Sequence, residues 1–127
     1  MDIGPVSSFP RIARFIGTDD CGAGASCPHC GARRRYIVRF MVEDGRVLGA
    51  MRGCVKLFPV SAIALADLFL KDKAERYRKQ GWALNRADSH AAEMVDRFYA
   101  GEVPETVALA ACRSAKAANA RRFGGRR

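Results

Sequence analysis

DCGAGASCPHCGARRRYIVRFMVEDGRVLGAMRGCVKLF, residues 20–58, holds four of the chain's five cysteines, Cys21, Cys27, Cys30 and Cys54, around a strand-turn-strand pattern. Cys27-Pro28-His29-Cys30-Gly31 is a tight turn with two thiols three positions apart, a spacing that points both sulfurs at one ion, and Gly31 lets the backbone fold back towards it. Downstream, Tyr36, Val38, Phe40 and Val42 alternate with Ile37, Arg39 and Met41, which is the period of a strand with two different faces. Glu43-Asp44-Gly45-Arg46 then leads into Val47-Leu48-Gly49-Ala50-Met51, and Asp-Gly between β-type runs signals a hairpin in which both positions reach positive φ. The return strand delivers Gly53-Cys54 beside the knuckle. From Val55 to Leu70 the chain reads as mainly helical, so Cys54 is expected at or near a helix N-terminus, where the dipole favours a thiolate.

Thiolates at 21, 27, 30 and 54 complete a tetrahedral structural zinc site with no position left for a substrate water. Cys27, Cys30 and Cys54 are its best-supported members. Cys21 is the expected fourth ligand because it lies just upstream of the knuckle, with His29, His90 and Cys112 as substitutes. Unrelated reduced cysteines in a small core are the alternative, and they predict no bound metal.

Working outward, 127 residues at 49% hydrophobic content form one domain's worth of chain, expected to span 1–120 with the knuckle and hairpin at 20–58 and a helical part at 59–120. Phe9 to Ile16 is a short apolar and basic piece to which no element is assigned, an arm over the core being one reading. From Pro59 the apolar period lengthens to that of a helix, with Ile63, Ala66, Leu70, Ala74 and Tyr77 on one face, Leu65, Leu68 and Phe69 widening the stripe in its first half, and an end near Gly81. Asn85 with Asp88 three residues on is a capping-box-like pair that opens a second helix carrying Ala87, Ala91, Met94, Val95 and Phe98 on its stripe, closed by Gly101. Pro104 suits the first turn of a third, alanine-rich helix from Glu105 to about Ala120. Residues 121–127, mostly arginine and glycine, are expected as a flexible basic tail. The fold class that follows is α+β.

No run approaches a membrane span, and Met1-Asp2-Ile3-Gly4-Pro5 lacks the pattern of a secretory signal. An odd number of cysteines without an export signal fits ligand thiols in a reducing cytoplasm better than a disulfide framework. The net charge of +9 is uneven: residues 31–56 carry 7 basic and 2 acidic side chains, and 113–127 carry 6 and 0, so the excess belongs to the hairpin and the tail. Arg33, Arg34, Arg35, Arg39, Arg46, Arg52 and Lys56, with Arg121, Arg122, Arg126 and Arg127, are the candidate phosphate contacts, since guanidinium groups make bidentate bonds to phosphate. Tyr36 and Phe40 lie on the opposite strand face from Arg39 and read as core.

The Cys-Pro-His-Cys-Gly turn, Arg35-Tyr36-Ile37-Val38, Asp44-Gly45 and Gly53-Cys54-Val55-Lys56-Leu57 together resemble treble-clef and related zinc-ribbon proteins, and look like the pattern of small bacterial and phage proteins. The resemblance covers residues 20–58. It implies one structural Zn2+ and a bias towards binding nucleic acid or protein, and it implies no reaction. The second helix ligand of the treble clef is missing here.

Catalytic readings meet specific obstacles. A thioredoxin-type redox motif would follow a buried strand and begin a long helix, whereas a Gly/Ala-rich loop precedes this turn and a strand follows. A zinc deaminase needs His-x-Glu upstream of its Pro-Cys-x-x-Cys pair. An HNH-type nuclease needs a histidine at the hairpin, and the histidines here are His29, inside the knuckle, and His90. The expected function is therefore non-catalytic nucleic-acid binding, DNA or RNA, by a zinc-braced arginine-bearing hairpin. The alternative is a protein-interaction adaptor or inhibitor of phage type, docking on an acidic surface.

Overall fold

The computed structural model describes residues 9–124, with side chains described through residue 121. The architecture is α+β: strands β1 (Ile12–Ser26), β2 (Arg33–Val42) and β3 (Val47–Ala50) form one antiparallel sheet in the order β1-β2-β3, followed by helices α1 (Arg52–Val55), α2 (Ala62–Lys79), α3 (Arg86–Tyr99) and α4 (Glu105–Gly124). Internal contacts divide the chain into two compact units, Met1–Leu68 and Phe69–Arg127.

In the first unit the expected hairpin gains a strand. Ile12 to Ile16 and the Gly/Ala-rich segment after them form β1, which pairs with β2 from Ile12↔Val42 to Ser26↔Arg33. Three irregularities interrupt that register, the widest between Asp20 and Ala25. They scramble the two-residue alternation by which a strand is recognised. β2 keeps its alternation: Val38, Phe40 and Val42 are fully buried while Arg39 is exposed. Between β2 and β3, Gly45 N–H donates to Val42 O (2.9 Å) and Val42 N–H to Arg46 O (2.9 Å). Only Gly45, at φ +95, is left-handed, and no residue other than glycine has positive φ among the described residues. The loop is thus a turn closed by a glycine bulge, and Asp44 does not take the positive φ expected of it. Instead its carboxylate accepts from the Arg46 backbone N–H (2.9 Å).

The helix expected from Val55 onward is broken. α1 is one turn long, and Pro59, which disfavours helix at the residue before it, separates α1 from α2. Ser61 restarts the chain, its hydroxyl accepting from Ala64 N–H (3.2 Å) as an N-cap. The buried stripe of α2 runs through Ile63, Ala64, Asp67, Leu68 and Asp72; Ile63 and Leu68 are on the expected stripe, whereas Ala66, Leu70, Ala74 and Tyr77 are only half-buried.

In the second unit, Asn85 caps α3 as expected, accepting from Asp88 N–H (2.8 Å). The Asp88 carboxylate, buried at 3% residue exposure, is engaged elsewhere: Lys73 Nζ donates to it at 2.6 Å and Asn119 Nδ2 at 3.0 Å, while Asn85 Nδ2 donates to Asn119 Oδ1 at 2.8 Å. One carboxylate therefore joins the end of α2, the start of α3 and the end of α4. Gly101 and Glu102 N–H groups return to Phe98 and Arg97 carbonyls to end α3. α4 buries Ala108 and Ala115, small residues that let α3 and α4 approach closely. Helix α4 runs to Gly124, so residues 121–124 are helical where a flexible tail was expected; Arg126 and Arg127, and the side chain of Arg122, lie outside the described residues. No helix among the described residues is long and apolar enough to cross a membrane.

Removing a buried carboxylate that accepts a charged and a neutral donor leaves both donors unsatisfied. Asp88→Ala is expected to lower stability to urea by about 2–4 kcal/mol, whereas His90→Ala, exposed on the same helix, should stay within about 0.5 kcal/mol. Equal midpoints for the two variants would refute the role assigned to Asp88.

Candidate metal centre

The β1-β2 connection is the Cys27 to Ala32 turn. Its closure is local: Gly31 N–H donates to Cys27 O (2.8 Å) and Cys27 N–H to Ala32 O (2.8 Å), and Gly31 sits at φ +80, where a side chain would be strained. The β2-β3 hairpin then returns the chain to the same end of the sheet. Met51 N–H donates to Cys27 Sγ at 3.2 Å, alongside His29 N–H at 3.4 Å, so one sulfur receives donors from its own turn and from the start of α1. Cys54 lies inside α1, its N–H bonded to Met51 O (2.9 Å). The floor beneath is apolar, with Val38, Phe40, Val55 and Phe58 all buried.

The sulfurs of Cys27, Cys30 and Cys54 converge within 4.8 Å of one another, Cys27 and Cys54 buried and Cys30 exposed. That spacing fits a thiolate-bound ion, whose sulfur ligands at about 2.3 Å from the metal stand about 3.8 Å apart in a tetrahedron. Backbone donors to a ligand sulfur are a further fit, because they stabilise the anionic form. These three residues are close enough to bind a metal.

The expected fourth ligand is not among them. Cys21 is half-buried on β1 with its Sγ directed to Asp19 O at 4.0 Å, outside the group. Cys21 follows Asp20, which pairs with Tyr36 three rungs up the ladder from the Ser26–Arg33 pair beside the turn, and it lies in the wide irregularity between Asp20 and Ala25. His29 packs its ring against Phe9 (5.2 Å) and Phe58 (5.6 Å). His90 is exposed on α3, and Cys112 is half-buried on α4 in the second unit. Leu57, three residues after Cys54 where a second helix ligand would stand, is exposed and offers no donor. Met51 is the neighbour that spacing rules for cysteine and histidine pass over: its Sδ lies 3.6 Å from Cys30 Sγ.

The basic side chains are less available than their number suggests. Arg35 makes a two-pronged pair with Asp20 (3.0 and 3.1 Å), Arg46 pairs with Asp44 (2.8 Å), and Arg39 lies 3.9 Å from Asp19. Arg33 and Arg34 donate to main-chain carbonyls, of Gly24 and Arg33 respectively, both at 2.8 Å. Lys56 is exposed just after α1, Arg52 is half-buried within it, and Arg121 is exposed on α4. Comparison with family models, with curated proteins and with solved structures finds no match.

The three thiols are not equivalent without a metal. Burial pushes the Cys27 thiol up, but the N–H groups of Met51, Cys30 and His29 outweigh it and bring the pKa down from 9.0 to about 7. Cys54, buried and beside the other two sulfurs, is pushed up to about 12 and keeps its proton. A thiolate with a lowered pKa stabilises the fold above its ordinary value, and that contribution is lost as pH falls through about 7. In a thiolate-absorbance titration of the metal-free protein, the first step is expected near 7 and should vanish in Cys27→Ser. A first step at the ordinary thiol value would overturn this ordering.

Proposed function

We propose that the chain is a non-catalytic nucleic-acid-binding protein whose hairpin is braced by one structural zinc ion on Cys27, Cys30 and Cys54. The observation that carries this reading is the convergence of three sulfurs at one end of a sheet whose second strand begins Arg33-Arg34-Arg35. Thiolate donors suit zinc, and an ion at that point would tie the knuckle, the hairpin's return and α1 into one rigid unit. Rigidity matters because fixed guanidinium groups lose less entropy on meeting phosphate. Arg33, Arg34 and Lys56 are the proposed primary contacts, with Arg52 a further candidate in α1. Arg35, Arg39 and Arg46 would first have to leave their aspartates, exposed pairs that solvent screening makes weak. Arg121, Arg122, Arg126 and Arg127 would add a sequence-independent, salt-sensitive contribution.

A second reading is a protein-interaction adaptor. It draws on the exposed apolar side chains Ile16, Val47 and Leu57 of the first unit, which a protein partner could cover beside the basic groups.

Native mass spectrometry of the zinc-loaded protein should give one ion per chain, lost in Cys27→Ser and in Cys54→Ser and kept in Cys21→Ser and Cys112→Ser. A metal-free wild type would remove the basis of the proposal. Mobility shifts on short DNA and RNA duplexes over a salt series separate the two functional readings. The nucleic-acid reading expects affinity to fall linearly on logarithmic axes with salt, with a shallower slope by about 2 for Arg33→Ala/Arg34→Ala if each makes one phosphate contact. No binding at low salt would leave the adaptor reading.

A further inference from the structure

Met51 touches every member of the cysteine group. Its N–H donates to Cys27 Sγ (3.2 Å), its carbonyl accepts from Cys54 N–H (2.9 Å), and its Sδ stands 3.6 Å from Cys30 Sγ. The last distance is close to the sulfur-sulfur edge of a tetrahedron built on metal-sulfur bonds of about 2.3 Å, which is about 3.8 Å. The neighbouring residue makes room for it. A Cβ on residue 53 would meet Met51 Cε at 3.2 Å, tighter than ordinary contact. Gly53 sits inside α1 without positive φ, so no left-handed backbone requires glycine there.

We propose that Met51 Sδ is the fourth donor of the metal centre, completing a set of three thiolates and one thioether. The proposal rests on the reading of Cys27, Cys30 and Cys54 as metal ligands. Among the described residues of the first unit the other candidates are turned away: Cys21 to a carbonyl on β1, His29 into the ring cluster with Phe9 and Phe58, and Leu57 without a donor atom. Sulfur in all four positions keeps the site within the soft donors that select thiophilic ions. A thioether carries no charge, so a divalent ion here leaves one negative charge on the centre where four thiolates would leave two. It is also the weakest of the four donors and borders the exposed Cys30, which makes this position the one an incoming ligand would displace.

Zinc-edge X-ray absorption on full-length protein grown with selenomethionine and loaded with zinc tests this directly, because a selenium neighbour can come only from a methionine. The expected spectrum contains one zinc-selenium distance in the wild type. In Met51→Leu zinc should be retained with three sulfurs and one light atom, no selenium, and an affinity weaker by about tenfold, the lower end of what altered metal surroundings cost. Zinc bound without a selenium neighbour in the wild type, or a selenium signal that survives Met51→Leu, overturns the proposal. Absence of zinc from the wild type overturns the underlying cysteine reading as well, so the two failures are distinct.

Discussion

Cys27 Sγ is the point on which the first unit depends. It is a buried sulfur that accepts N–H groups from its own turn and from the start of α1, twenty-four residues later in the chain. A buried sulfur given donors in this way is held partly anionic before any ion arrives, and the geometry that supplies the donors is the geometry that brings Cys30 and Cys54 close. The hairpin register makes this work. Pairing of Val38 with Ala50 places Met51 level with the knuckle, and a slip of one residue would turn Val38 and Phe40 out of the core as well as moving Met51.

Charge is organised by the same sheet. Counted along the chain, residues 31–56 are strongly basic, but β1 carries Asp19 and Asp20 antiparallel to β2 and sets them against Arg39 and Arg35. A linear count assigns those aspartates to a different segment, whereas the ladder returns them to the arginines. The positive field that is left concentrates towards the knuckle, at Arg33 and Arg34, and after α1, at Lys56. These ion pairs are exposed and individually weak, so they redistribute charge more than they stabilise the sheet.

What could be read from the sequence was whatever short-range chemistry dictates. The Cys27–Ala32 turn, the burial of Val38, Phe40 and Val42 on β2, the Asn85 cap, the end of α3 at Gly101 and the start of α4 after Pro104 each follow from a few adjacent residues, and each is present. What could not be read depended on partners distant in sequence. β1 has no clean alternation because its register is broken three times, and its strand character comes from pairing with β2. Asp88 looked like the second half of a capping box, yet its carboxylate goes to Lys73 and Asn119, contacts that no local rule anticipates. On α2 the apolar pattern finds Ile63 and Leu68 but passes over Asp67 and Asp72, two aspartates on the buried face.

The cysteine site divides along the same line. Cys27 and Cys30 share a turn, so their convergence is local; Cys54 joins them through a hairpin whose signal was strong. Cys21 was chosen by nearness in sequence, and nearness in sequence means nearness in space only if the intervening residues fold back on themselves. Here Asp20 is fixed opposite Tyr36 and Ser26 opposite Arg33, and the irregular stretch between them does not bring Cys21 back to the turn. The assignment of residues 20–26 as loop or strand therefore decided the fourth ligand, and a glycine-rich segment with no alternation gave no means to make it. Once β1 is a strand, the sulfur that remains beside the group belongs to the residue the hairpin itself delivers, Met51, whose backbone already serves Cys27 and Cys54 and whose side chain lies against Cys30.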